Sequence, residues 1–132
     1  MKISLVGLLD DGSPRRAGVP VNPRNTITIS QGGDVIFEVK VQATSGTFVD
    51  LHDVSTSMIW SVKKKPADQP ALIRSVAART VQTATFTLTP ADTKNLTPGR
   101  YVYDVWLTLG GKRDAVIPLS TLILEAAATP PP

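Results

Sequence analysis

From residue 26 onward, apolar and polar positions alternate with the period of two that marks strands buried on one face. Ile27 and Ile29 alternate with Thr26, Thr28 and Ser30. Beyond Gln31-Gly32-Gly33-Asp34, Val35, Phe37, Val39 and Val41 alternate with Glu38, Lys40 and Gln42. Met58, Trp60 and Val62 repeat the pattern against Ser57, Ser61 and Lys63, and Ala84, Phe86 and Leu88 repeat it against Thr83, Thr85 and Thr87. Residues 71–76 read as a shorter, weaker strand. Residues 101–109, 113–117 and 121–126 complete the set, the last two separated by Pro118, a residue suited to an edge or a kink. The inward positions Phe37, Trp60 and Phe86 are expected in the core.

Turn chemistry punctuates this pattern. Gly110-Gly111 supplies a hairpin turn. Thr89-Pro90-Ala91-Asp92 reads as a helix start, with threonine as cap and proline at the first helical position, and predicts one helical turn near residues 90–95. About seven or eight short strands at this spacing imply an all-β, antiparallel sandwich. The sequence divides into an N-terminal segment over residues 1–25, a sandwich over 26–126 and a proline-rich tail over 127–132. Residues 1–9 (MKISLVGLL) form an apolar run that ends at Asp10-Asp11 without a small-residue cleavage pattern, so a strand or arm is expected there rather than a signal peptide. Pro14, Gly18, Pro20 and Pro23, interspersed with Arg15, Arg16 and Arg24, give the next stretch loop character and an extended arm is expected.

Composition narrows the chemistry. The 132 residues include no cysteine and one histidine, His52. Disulfides, thiolate metal sites and cysteine nucleophiles are excluded, as is any site built on two imidazoles. No turn of the Gly-x-Ser-x-Gly type presents a serine, and Asp10, Asp11, Asp50 and Asp53 sit in turn-like segments where aspartate commonly bonds backbone amides. Gly110-Gly111-Lys112 lacks the remaining residues of a phosphate loop. No enzymatic activity, metal or cofactor is therefore expected. Net charge is +3, from 14 basic and 11 acidic residues. The one basic run, Lys63-Lys64-Lys65, reads as the solvated end of a strand rather than a nucleic-acid footprint, and no apolar run reaches membrane-spanning length. Neither a nucleic-acid nor a membrane partner is expected.

The segment Tyr101-Val102-Tyr103-Asp104-Val105-Trp106 carries large side chains on both faces of one strand. Leu96-x-Pro98-Gly99-x-Tyr101 has the spacing of a tyrosine corner, in which the phenol bonds back to nearby backbone. With Tyr101 inward, Trp106 points outward. It is then either a contact residue, as tryptophan often is at interfaces, or a side chain covered by a loop or the N-terminal arm.

Four segments carry a family resemblance: residues 29–41 (ISQGGDVIFEVKV), Val49-Asp50-Leu51, residues 58–65 (MIWSVKKK) and residues 96–107 (LTPGRYVYDVWL). Together they resemble the N-terminal domain of phage baseplate upper proteins, over roughly residues 26–126. The resemblance implies an immunoglobulin-like sandwich and a non-enzymatic structural role in a tailed-phage virion assembled in the host cytoplasm. Baseplate proteins continue into a stalk after this module, whereas here the sequence ends in AAATPPP. The expected role is accordingly an accessory capsid-decorating or cement protein, with a tail, baseplate or fibre adaptor as the alternative and a host-surface receptor or carbohydrate-binding module as a further one. Expected partners are other virion proteins, either the major capsid protein or tail and baseplate subunits, met in multiple copies. The contact residues expected are Arg15, Arg16 and Arg24 in the arm, Lys63, Lys64 and Lys65, Trp106, and Pro130, Pro131 and Pro132. Trp60, Phe37, Phe86, Tyr101 and Gly99 are expected to be structural. An arm of this kind is dispensable for folding, so removal of residues 1–24 is expected to leave the fold intact.

Overall fold

The computed structural model describes residues 2–10, 12, 14, 16–17, 26–51, 56–65, 73–76, 78–80 and 83–126. Among the described residues, the alternating segments become nine strands in two facing sheets. β1 (Lys2–Leu9), β3 (Val35–Ala43), β7 (Ala84–Leu88) and β6 (Ala78–Arg79) form one sheet in the order β1-β3-β7-β6. β2 (Ile27–Ser30), β9 (Lys112–Glu125), β8 (Gly99–Leu109), β4 (Thr56–Lys63) and β5 (Ile73–Val76) form the other in the order β2-β9-β8-β4-β5. The helix α1 (Pro90–Thr93) is the predicted turn with Thr89 at its cap; the Asp92 carboxylate accepts the Thr89 N–H at 2.7 Å. The architecture is the all-β sandwich that the alternation implies.

The inward rows of the two sheets interlock. Phe37 and Phe86 from the four-stranded sheet and Met58, Trp60, Val62, Tyr103, Val105 and Leu107 from the five-stranded sheet are all buried. Phe37 and Trp60 join the layers with ring centroids 4.7 Å apart, and Tyr103 lies 6.1 Å beyond Trp60. Tilted rings at such separations add directional attraction to the burial of apolar area.

Three features differ from the sequence expectation. The first concerns the division at residue 25: residues 2–9 form the strand, one of the two expectations for them, but it belongs to the sandwich itself. β1 pairs in parallel with β3 from Lys2↔Ile36 to Leu9↔Ala43, and Leu5 belongs to the core. Val6 and Leu8 are half-buried on the other face, which is why the run looked uniformly apolar instead of alternating. Removing residues 1–24 would thus strip a sheet edge and expose β3, not trim a dispensable arm. Secondly, the pairing is mixed, because β2 also pairs in parallel, with β9.

The third difference is that the two predicted C-terminal strands are one. β9 stays paired to β8 on both sides of Pro118. Between the pairs Tyr103↔Ser120 and Val105↔Ile117, Pro118 and Leu119 together oppose Asp104. Between Val105↔Ile117 and Trp106↔Ala115, Val116 has no opposite residue. These bulges place proline, which has no N–H to donate, where the ladder is already interrupted. They also put Val116 and Ile117 both in the core, and carry Val116 against β1: a Cβ built on Gly7 would lie 3.0 Å from the Val116 Cβ and carbonyl oxygen.

Candidate functional site

The tyrosine corner forms at the start of β8. Tyr101 is buried, and its phenol donates to the Thr97 carbonyl at 2.5 Å. Gly99 has φ 151°, a backbone conformation that favours glycine, and thereby allows the chain to enter the strand after Pro98. Lys64 completes this corner. Its ammonium donates to the Arg100 carbonyl at 3.0 Å and sits 4.5 Å from the centroid of the Tyr101 ring. The three consecutive lysines thus differ in surroundings: Lys63 is half-buried at the last position of β4, Lys64 is held against the corner, and Lys65 is exposed beyond it. Nothing in a run of identical residues separates these surroundings; only the cross-strand position of the Arg100 carbonyl does.

Trp106 lies on the outer face of the five-stranded sheet, half-buried. Its indole N–H donates to the Asp104 carboxylate at 3.0 Å, and the Arg113 guanidinium stands 5.2 Å from the centroid of its ring. Register explains both contacts. Asp104 is two positions back on the same face of β8, and Arg113 pairs with Thr108, two positions ahead. Trp106 points outward, as the inward Tyr101 implies, and its ring is pinned by its own sheet. Ile59 is its direct neighbour on β4 and Ala115 on β9. Further along the same face are half-buried Val102, Thr121 and Ile123, with Lys63 and Arg100 beside them. Leu119, in the bulge opposite Asp104, is 41% exposed.

Arg16 lies against the four-stranded sheet, at the turn that follows β3. Its N–H donates to the Thr44 carbonyl at 2.8 Å, and its side chain runs over Gly46, where a Cβ would approach the Arg16 Cδ to 2.9 Å. It therefore rests on the turn that follows β3. The outer face of the four-stranded sheet bears a depression of about 260 Å³ lined by Ser4, Leu5, Val6, Glu38 and Lys40, beside a Lys2–Glu38 ion pair of 3.0 Å. Arg15, Arg24, Pro130, Pro131 and Pro132, like His52, lie outside the described residues. The expected contact residues consequently fall in separate places, with Trp106 and Lys63 sharing one face of the five-stranded sheet and Arg16 on the turn that follows β3. The neighbours of Trp106, Asp104 and Arg113, were not singled out from sequence, although an acid and a base flanking an outward tryptophan at period-two spacing carry the signal.

Among the described residues, no helix is long and apolar enough to cross a membrane, and no group of three or more His, Cys, Asp or Glu side chains gathers into a metal site. Burial pushes the Tyr103 phenol up, and its hydrogen bond with Ser120 partly brings it back.

No family model and no curated protein matches the chain. Among solved structures it is similar to the N-terminal domain of phage TP901-1 ORF48, with a TM-score of 0.50 and 10% identity over 95% of this chain and 99% of that one. Reduced rusticyanin matches with a TM-score of 0.41 and 14% identity over 94% of this chain and 79% of that one. The cysteine protease inhibitor EhICP2 from Entamoeba histolytica matches with a TM-score of 0.36 and 9% identity over 92% and 97%. At such identities the phage likeness is one of fold.

Proposed function

We propose that this chain is a non-enzymatic structural protein of a tailed-phage virion, acting as a rigid β-sandwich that docks onto neighbouring virion proteins in repeated copies. The observation that carries this reading is the fold likeness to a phage protein domain over nearly the full length of both chains. The sequence segments that resemble baseplate upper proteins lie within the same sandwich and include its tyrosine corner and the Trp106 strand. The resemblance to baseplate upper proteins favours the tail or baseplate over the capsid surface as the place of docking. Many small interfaces, each weak alone, sum to stable attachment when copies are held together by the particle.

The test is to purify particles on a density gradient, quantify the chain by mass spectrometry and label it with antibody for electron microscopy. A fixed number of copies per particle, with label on the tail, supports the proposal. Label on the head moves the same role to the capsid, and a chain confined to the soluble lysate refutes it.

A further inference from the structure

We infer that the outer face of the five-stranded sheet docks a protein surface that is apolar at its centre and carries carboxylates opposite one end. This rests on the reading of the chain as a docking module and specifies the face and the chemistry of its partner. The centre of the face is apolar without being closed: Ile59, Val102, Trp106 and Ile123 are half-buried and Leu119 is exposed. Ordinary surface strands alternate hydrophobic-in and polar-out, so an outer row containing tryptophan, isoleucine and valine departs from what a solvated sheet needs.

Trp106 is also prepared for contact. Asp104 satisfies its indole N–H and Arg113 flanks its ring, so docking requires neither desolvation of an unpaired donor nor ordering of a free indole. Tryptophan and arginine side by side, with aliphatic residues around them, match the composition of energetically dominant interface centres.

Charge selects the partner. Lys63 and Arg100 lie on this face and Lys64 and Lys65 adjoin them at the same end, while Arg113 stands at the other end of β8. Among the described residues, the carboxylates on the face are Asp104, which holds the indole, and Glu125 at the end of β9. Cations are in excess where Lys63, Lys64 and Arg100 gather. The described residues of a second copy offer on this face no acidic cluster to meet them. The complementary occupant is a different protein surface with an acidic patch, which these side chains steer into register.

The experiment uses the isotope-labelled full chain and two synthetic peptides that share a leucine-rich centre, one flanked by glutamates and the other by lysines. The acidic peptide is expected to shift amide signals of outer-face residues in β4, β8 and β9 together with the Trp106 indole, while the lysine-flanked twin leaves them in place. Raising salt from about 0.05 to about 0.5 M is expected to weaken binding by about tenfold or more, because exposed charges are screened over shorter distances. Arg100→Glu, which reverses an exposed charge at the cationic end, is expected to lose the acidic peptide by a similar factor while keeping the native spectrum.

Shifts confined to other surfaces, equal response to both peptides, or no response at millimolar peptide overturns the inference. So does a short DNA duplex that moves the same signals more strongly, which makes the face a polyanion site, or sedimentation showing a dimer that Arg113→Glu dissociates. No particle enters this experiment. A chain missing from virions leaves its outcome unchanged, and loss of peptide binding leaves virion association unchanged.

Discussion

Trp60 occupies the centre of the sandwich with no exposed surface, and among the described residues its indole N–H has no hydrogen-bond partner. Ring packing against Phe37 and Tyr103 outweighs the cost of that orphan donor, which is about 1–3 kcal/mol. Trp60→Ala is expected to lose about 3–5 kcal/mol in urea unfolding. Trp60→Phe removes the orphan donor along with part of the ring, so its loss is expected to be well under half as large. Tyr101 presents the reverse balance, a phenol satisfied by Thr97, and Tyr101→Phe is expected to cost about 1 kcal/mol in the same assay. Both residues were legible in sequence, Trp60 from alternation and Tyr101 from the Pro98-Gly99-x-Tyr101 spacing. Lys64 was not, because its role depends on the Arg100 carbonyl 36 residues away.

Tyr103 gives the fold an alkaline limit. Burial raises its phenol above the ordinary value of 10.0, so the unfolded chain ionises first as pH rises. The linked stability is fully present below pH 10.0 and is lost as pH climbs from there through the raised folded value. Unfolding free energies measured across that range are expected to fall for the native chain, and Tyr103→Phe is expected to flatten the decline.

At the scale of elements, the period-two rule located the strands that are buried on one face and failed where both faces are partly covered. β1 is the clearest case: half-buried Val6 and Leu8 mask its alternation, and its partner β3 is parallel and more than 30 positions away. β9 is the second case, since proline breaks a regular ladder but fits a bulge, and a bulge is invisible without the register. The junction of these elements is Gly7 against Val116. Gly7→Val is expected to force β1 away from β9 and cost about 1–3 kcal/mol, measurable as a lowered urea midpoint, by the ordinary penalty of overpacking. Unchanged stability would mean that β1 does not close against the bulged strand.

The whole molecule presents two unlike sheets. The four-stranded sheet shows solvent the Lys2–Glu38 ion pair, Ser4, Lys40 and Gln42 beside aliphatic Val6, Leu8 and Ile36, whereas the five-stranded sheet adds a pinned tryptophan to its aliphatic residues. The sequence identified Trp106 and the lysines as contact candidates but could not join them, because Lys63 reaches the Trp106 face only through the pairing of β4 with β8. That pairing converts scattered residues into one surface. The most direct measurement is a cryo-electron microscopy reconstruction of the purified particle at side-chain detail. The account predicts copies of this sandwich on the particle with Trp106 buried against a different virion protein. A particle without the chain, or one in which the Trp106 face of every copy meets only solvent, would contradict it.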